Sequence, residues 1–336
     1  MAWFLQTQAQ KKRKGSSRSG ETGEAGGVGM IMKAFGLVLL VLGPTAAAFL
    51  AGYTDVSQYF ALGAVLAINL TLLARPIAPF AALLPLVYAA AAVTAESTDG
   101  VAALIVAVAA AVGAASSQGL HRGLLSVLAA ALIGSFEPAS GLTVFERAGS
   151  MLGGCVYGVM LGITLLRNVE VESRAVHPQT ALSYAVLLAV LVLIAWLAAR
   201  VAEFAHGWWL PLAAAAIGEP ALDRPPGRAV ARLALALVTT LLLVVLIQSF
   251  DVPALRVFMA GALLLLMLTV RRQTASLQAL LLTPVAVLLV QHRNLENTAL
   301  DYLSAAFVAC AIVFVATLLG KWVLWTLRPD TGRIAA

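Results

Sequence analysis

Charge is what this chain has least of. Only 11% of its 336 residues are Asp, Glu, Lys or Arg, against about 25% in ordinary soluble domains. With 61% hydrophobic residues and a mean hydropathy of +0.93, that shortage excludes a typical water-soluble fold. Cysteine is almost as scarce: Cys155 and Cys310 are the only two, too few for a disulfide framework. Histidines occur singly at 121, 177, 206 and 292, so no Cys/His cluster with metal-ligand spacing exists. Nucleophile–base pairs and phosphate-binding loops are equally missing, and neither enzymatic activity nor a cofactor is expected.

What is present is a succession of apolar stretches. About twelve have a length suited to a hydrocarbon core of about 30 Å, near 31–51, 57–74, 77–95, 100–116, 120–136, 147–167, 179–201, 207–219, 229–248, 253–270, 274–291 and 302–326. Three of them, 57–74, 100–116 and 207–219, are short or alanine-rich. The stretches lack the alternation of strands, and backbone groups in lipid must be satisfied internally. The expected fold is therefore an all-α polytopic membrane protein.

The chain also matches itself. Residues 58–80 lie over 207–229 without a gap, with six identities; aromatic pairs open both windows, and Arg75-Pro76 and Arg224-Pro225 close them. A second register pairs Glu146 with Asp301, Gly149 with Ser304 and Cys155 with Cys310. Such repetition predicts two halves of six helices, 31–168 and 178–328, with a site between them. Basic residues in short loops favour the cytoplasm. With the N-terminus inside, every Lys and Arg falls on the inner side except Arg147, Arg200, Arg256 and Arg293. This predicts two parallel repeats with both termini cytoplasmic, and it accounts for the net charge of +6 without nucleic acid. Residues 1–30, with the basic run 11–14, read as a disordered cytoplasmic tail touching anionic lipid, or as codons ahead of a true start at Met30 or Met32. Residues 45–49 resemble a signal-peptidase site, but the preceding span has a counterpart near 179–201 and is kept as a membrane helix.

Several residues are candidates for function. Between the eighth and ninth spans, Pro220, Pro225 and Pro226 free backbone groups, while Arg228 and Arg232, four apart, share one helix face beside Arg224. These arginines either gather an anion or anchor helix ends to lipid phosphate. Glu219 is an ionisable residue at membrane depth, a proton carrier if desolvated and an ion-pair residue if tied to Arg224 or Arg228. Trp208 and Trp209 either form part of an interface belt or offer a planar surface to an aromatic substrate. Glu146 and Asp301 open the sixth and twelfth spans and are further proton-coupling candidates; carboxylates also favour helix N-termini for electrostatic reasons. Gly149, Gly153, Gly154, Gly158 and Gly162 in the sixth span have spacings that permit close helix packing against a repeat mate or another subunit, which leaves room for a homo-oligomer.

Residues 208–246, running from Trp208-Trp209 and Pro211 through Glu219-Pro220 to Arg228 and Arg232, resemble the fusaric acid resistance or aromatic acid exporter family. The likeness continues through Arg271-Arg272 and Leu282-Thr283-Pro284 to the helix from Leu300, covering most of 178–328 and only the outline of 31–168. It implies a proton-driven exporter of aromatic or other organic acids in a bacterial inner membrane, with the lipid bilayer and a small organic anion as partners. Plant aluminium-activated malate channels look related in their membrane unit. The large cytoplasmic domain common in the family fits neither between 168 and 179 nor after 321. Three functions therefore stand: an exporter, a passive organic-anion channel, and a structural or envelope-stress membrane protein. On the first two, Arg228→Ala is expected to weaken organic-anion transport while leaving membrane insertion intact, as measured by vesicle flux and by protein content of the membrane fraction.

Overall fold

The computed structural model describes residues 51–73, 75–137, 143–165, 175–204 and 207–217, together with pieces at 43–45, 47–48, 262–263, 304–305 and 307–315 and the single residues 36 and 318. All elements among these residues are helical. In chain order they are α1 (Thr54–Leu73), a 3-10 helix (Arg75–Ala82), α2 (Leu83–Thr94), α3 (Thr98–Ala114), a second 3-10 helix (Ala115–Gln118), α4 (His121–Phe136), α5 (Val144–Leu165), α6 (Pro178–Val201) and α7 (Trp209–Ile217). The stretches near 57–74 and 100–116, short or alanine-rich in sequence, both form helices. The third and fourth apolar stretches each contain a tight 3-10 segment. Spans nine and eleven and the cytoplasmic tail lie outside the described residues, as do most of the first span and all of the tenth except 262–263.

Local chemistry sets the turns. Ser97 caps α3, its hydroxyl accepting from the Gly100 N–H at 3.2 Å, which satisfies one of the orphan donors of a first helical turn. Gly119 adopts the left-handed conformation (φ 74°) that ends the second 3-10 helix, a backbone state open to residues without Cβ strain. Pro178 occupies the first turn of α6, where its missing N–H costs nothing.

Close contacts fix the helix directions. α1 and α5 run side by side in the same sense: Gly154 abuts the Phe60 carbonyl, Gly158 the Ala64 carbonyl, and Gly162 the Thr71 side chain, while Gly63 of α1 meets the Met151 carbonyl. Three of the five spaced glycines therefore face α1 of the same half. A Cβ at Gly153 would make only ordinary contact with the Phe60 ring, at 3.7 Å, and one at Gly149 would meet open space. α4 runs opposite to α1, joined by a buried hydrogen bond from Asn69 Nδ2 to Ser126 Oγ at 2.9 Å. α3 and α6 also cross antiparallel, with Gly113 against the Ala185 backbone, and α2 lies along α4, where Gly134 meets the Tyr88 carbonyl.

The core is apolar, drawing on Leu62, Leu66, Ile68, Leu84, Ile105 and Leu128. The outward faces are apolar too. Leu152, Val156, Met160 and Ile163 on α5 are exposed, as are Leu182, Val186, Val190, Ile194 and Val201 on α6, spaced three to seven residues apart on one face. Water-soluble bundles place charged residues on such faces. Among the described residues, two helices, Thr98–Gln118 and Pro178–Val201, are long and apolar enough to cross a membrane, and apolar outward stripes are what a lipid solvent favours. Gly154→Leu is expected to force α1 from α5, since overpacking costs about 1–3 kcal/mol; a thermal-shift measurement in detergent should record a lower Tm than for the native chain.

Candidate functional site

Four polar side chains of the bundle meet where α1 begins and α4 ends. Glu137 follows the last residue of α4 and turns into the bundle rather than away from it. Its Oε2 accepts hydrogen bonds from the Tyr59 hydroxyl of α1 at 2.7 Å and the Tyr88 hydroxyl of α2 at 2.8 Å. The Arg147 guanidinium, from the first turn of α5, lies 4.0 Å from the same oxygen, and the two side chains are 3% and 9% exposed for Arg147 and Glu137. Arg147 Cζ also sits 5.8 Å from the Tyr59 ring centroid, within cation–π range. Tyr59 and Tyr88 pack against each other, ring centroids 5.8 Å apart.

Packing explains why these four groups meet. Gly134 allows α4 to approach α2 at Tyr88, so that Glu137, about one turn further on, comes within reach of the Tyr88 hydroxyl. The glycine contacts of α5 with α1 do the same for Arg147 and Tyr59. Burial pushes the Glu137 carboxyl above its ordinary range, while the two tyrosine hydroxyls and the Arg147 charge pull it back down. The site holds one carboxylate on a guanidinium and two phenol donors, a set matched to an organic acid group.

Arg200, near the end of α6, lies close by. Its guanidinium is 5.2 Å from the Trp196 ring and 5.7 Å from the Phe136 ring, and it donates to the Ala95 carbonyl at 3.2 Å. Arg147 and Arg200 are two of the four basic residues that break the inside rule. One is buried against a carboxylate, the other rests on aromatic faces. At the opposite end of the helices, His121 is buried edge-on to Tyr184, ring centroids 6.1 Å apart, near the buried Ser116.

The sequence candidates fare differently. Glu146 is exposed, and it forms a reciprocal capping box with Thr143: the Thr143 N–H and hydroxyl donate to Glu146 Oε2 at 2.7 and 3.0 Å, and the Glu146 N–H meets Thr143 Oγ1 at 3.3 Å. Those bonds, the backbone one foremost, hold its carboxyl below the usual range. Trp208 and Trp209 are each 1% exposed and pack edge to face at 5.4 Å. Burial inside the bundle takes the place of an interface belt. Glu219, Arg224, Arg228, Arg232 and Asp301 lie outside the described residues. Cys155 is buried, Cys310 is partly so, and both are free thiols. Sequence reasoning passed over Glu137, Tyr59 and Tyr88. The available signal was Arg147 itself, a cation on the wrong side of the charge rule, with an acid at the neighbouring span end.

The sequence profile of the fusaric acid resistance protein-like family matches residues 194–316. That region is similar to this family. The match begins inside α6 and takes in α7, about a third of the chain, and it agrees with the resemblance seen in 208–246. It supports a membrane protein with a transport role in general. No curated protein and no solved structure matches the chain.

Glu137 and Arg147 each lose a buried opposite charge when the other is removed. Arg147→Ala is expected to destabilise the protein by about 3–5 kcal/mol, and adding Glu137→Gln to recover part of that loss, measured by chemical denaturation in detergent. A carboxyl whose folded value is raised holds its proton more tightly when folded. Its contribution to stability is present below its ordinary value of 4.5 and is lost as pH rises through the raised one. The Tm should fall across that window in the native chain and stay flatter in Glu137→Gln.

Proposed function

We propose that the protein exports aromatic or other organic acids across a bacterial inner membrane, coupled to the proton gradient. The observation that carries this reading is the buried guanidinium–carboxylate pair, with its two phenol donors, in a bundle whose outward faces are apolar. An ionisable group in such surroundings is expensive and marks a route for ions or substrate. The fusaric acid resistance protein-like match supports efflux in general.

In this reading the chain forms two parallel six-helix halves with a substrate path between them. Arg224, Arg228 and Arg232 gather the anion at the cytoplasmic mouth. The buried Trp208–Trp209 pair supplies an aromatic wall, and Glu137 joins Glu219 and Asp301 as a proton-handling group. Glu146, committed to its helix cap, is dropped from that role.

Proteoliposomes containing the full chain provide the test. With an imposed pH gradient, labelled benzoate is expected to accumulate against its own concentration gradient. Movement that only follows the anion's electrochemical gradient would instead make the protein a passive channel. Absence of movement across a panel of organic acids would favour the structural reading.

A further inference from the structure

The apolar stripe that α6 turns outward ends in a cation. Val186, Val190, Ile194 and Leu197 are exposed along it, and Arg200, three residues further on the same face, is exposed too. α6 has 24 residues, hence a length of about 36 Å, against about 30 Å for a hydrocarbon core. With the stripe in lipid, Arg200 in the last turn stands at headgroup level.

Its guanidinium is held in place. It lies over the Trp196 and Phe136 rings, 5.2 and 5.7 Å from their centroids, and donates to the Ala95 carbonyl at 3.2 Å. The rings cover the face of the planar group, whereas its donors point out from the edges, and most of them are left for a ligand. Among the described residues no carboxylate pairs with Arg200, although acids stand close to it along the fold. Glu96 directly follows the carbonyl that Arg200 binds, and Glu203 comes three residues after Arg200; both are exposed. Glu203 also has an uncommon backbone. Its N–H donates to the Arg200 carbonyl and the Phe204 N–H to the Ala199 carbonyl, each at 3.3 Å, the pattern that ends a helix through a left-handed residue. Glycine holds that position without strain. Here Glu203 holds it at φ 50°, and what glutamate adds over glycine is a carboxylate at the rim beside Arg200.

We propose that the outward face of α6 binds a phospholipid whose headgroup carries a primary ammonium beside its phosphate. Arg200 takes the phosphate through paired N–H donors, Glu96 and Glu203 take the ammonium, and an acyl chain lies along Leu197, Ile194 and Val190. The charges select among lipids. A headgroup that is only anionic meets repulsion from Glu96, Glu203 and the exposed Asp99, and a trimethylated ammonium has no N–H to give the carboxylates.

The test is native mass spectrometry of the purified full chain titrated with phosphatidylethanolamine, phosphatidylglycerol and phosphatidylcholine of the same acyl chains. Phosphatidylethanolamine is expected to bind most tightly, and Arg200→Gln to weaken it by about tenfold, the worth of a hydrogen bond to a charged group. Glu96→Gln/Glu203→Gln should keep the phosphate contact and lose the preference, binding phosphatidylglycerol as well as phosphatidylethanolamine. Equal retention of all three lipids by the native chain, or tightest binding of phosphatidylglycerol, overturns the proposal, and so does an Arg200→Gln chain with native affinity. Should Arg200→Gln fail to fold, the Glu96→Gln/Glu203→Gln chain, changed only at exposed positions, decides: an unchanged headgroup preference overturns the site.

Discussion

Taking a carboxylate out of water into the low-dielectric end of a helix bundle costs several kcal/mol per ion, and only a well-placed counter-charge with further hydrogen bonds compensates. Glu137 has both, and they come from three other helices. Through that one carboxylate α1, α2, α4 and α5 are tied at a common end. The geometry of the bundle there follows from the requirement: α4 must stop where Glu137 can turn inward, and α5 must begin where Arg147 can reach it. The Thr143–Glu146 capping box, directly before Arg147, fixes that beginning.

Small residues make the requirement attainable. Helices that carry Cβ atoms at their contacts sit 8–10 Å apart. Gly154 and Gly158 let α5 lie against the carbonyls of α1, and Gly134 lets α4 lie against α2. In a lipid solvent, where apolar burial gives helices little reason to associate, such close packing and buried hydrogen bonds, here Asn69 to Ser126, do much of the joining. The same logic accounts for the outward display of Leu, Val and Ile on α5 and α6. Polar groups face each other inside, and apolar groups face the solvent that suits them.

The arrangement separates two kinds of arginine that look alike in the chain. Arg200 covers aromatic rings near the bundle end and gives its polar contact to a carbonyl. Arg147 is enclosed and matched to an acid. A cation resting on rings adds modest stabilisation, whereas an enclosed cation matched to a carboxylate is a buried pair that is costly to break.

The helices could be read directly from the chain because span length and absence of alternation depend only on the solvent and on local hydrogen bonding. The stretches near 57–74, 100–116, 120–136, 147–167 and 179–201 reappear as α1, α3, α4, α5 and α6 with small shifts at their ends. Family likeness was also legible, since it is carried by the contiguous run 208–246 inside the matched region 194–316. Partners were not. The glycines of α5 announce a close neighbour without saying which, and the choice of α1 depends on how the whole bundle closes. Glu146 and Glu137 are both acids at span ends, alike in composition and spacing. One caps its own helix within three residues, a local bond, and the other reaches Tyr59 and Tyr88 across separations of 78 and 49 residues. Sequence alone determined the solvent, the helices and the family likeness, because each is a property of contiguous residues. Only the tertiary structure decided which acid is buried and what it binds, because that depends on which distant helices are brought into contact.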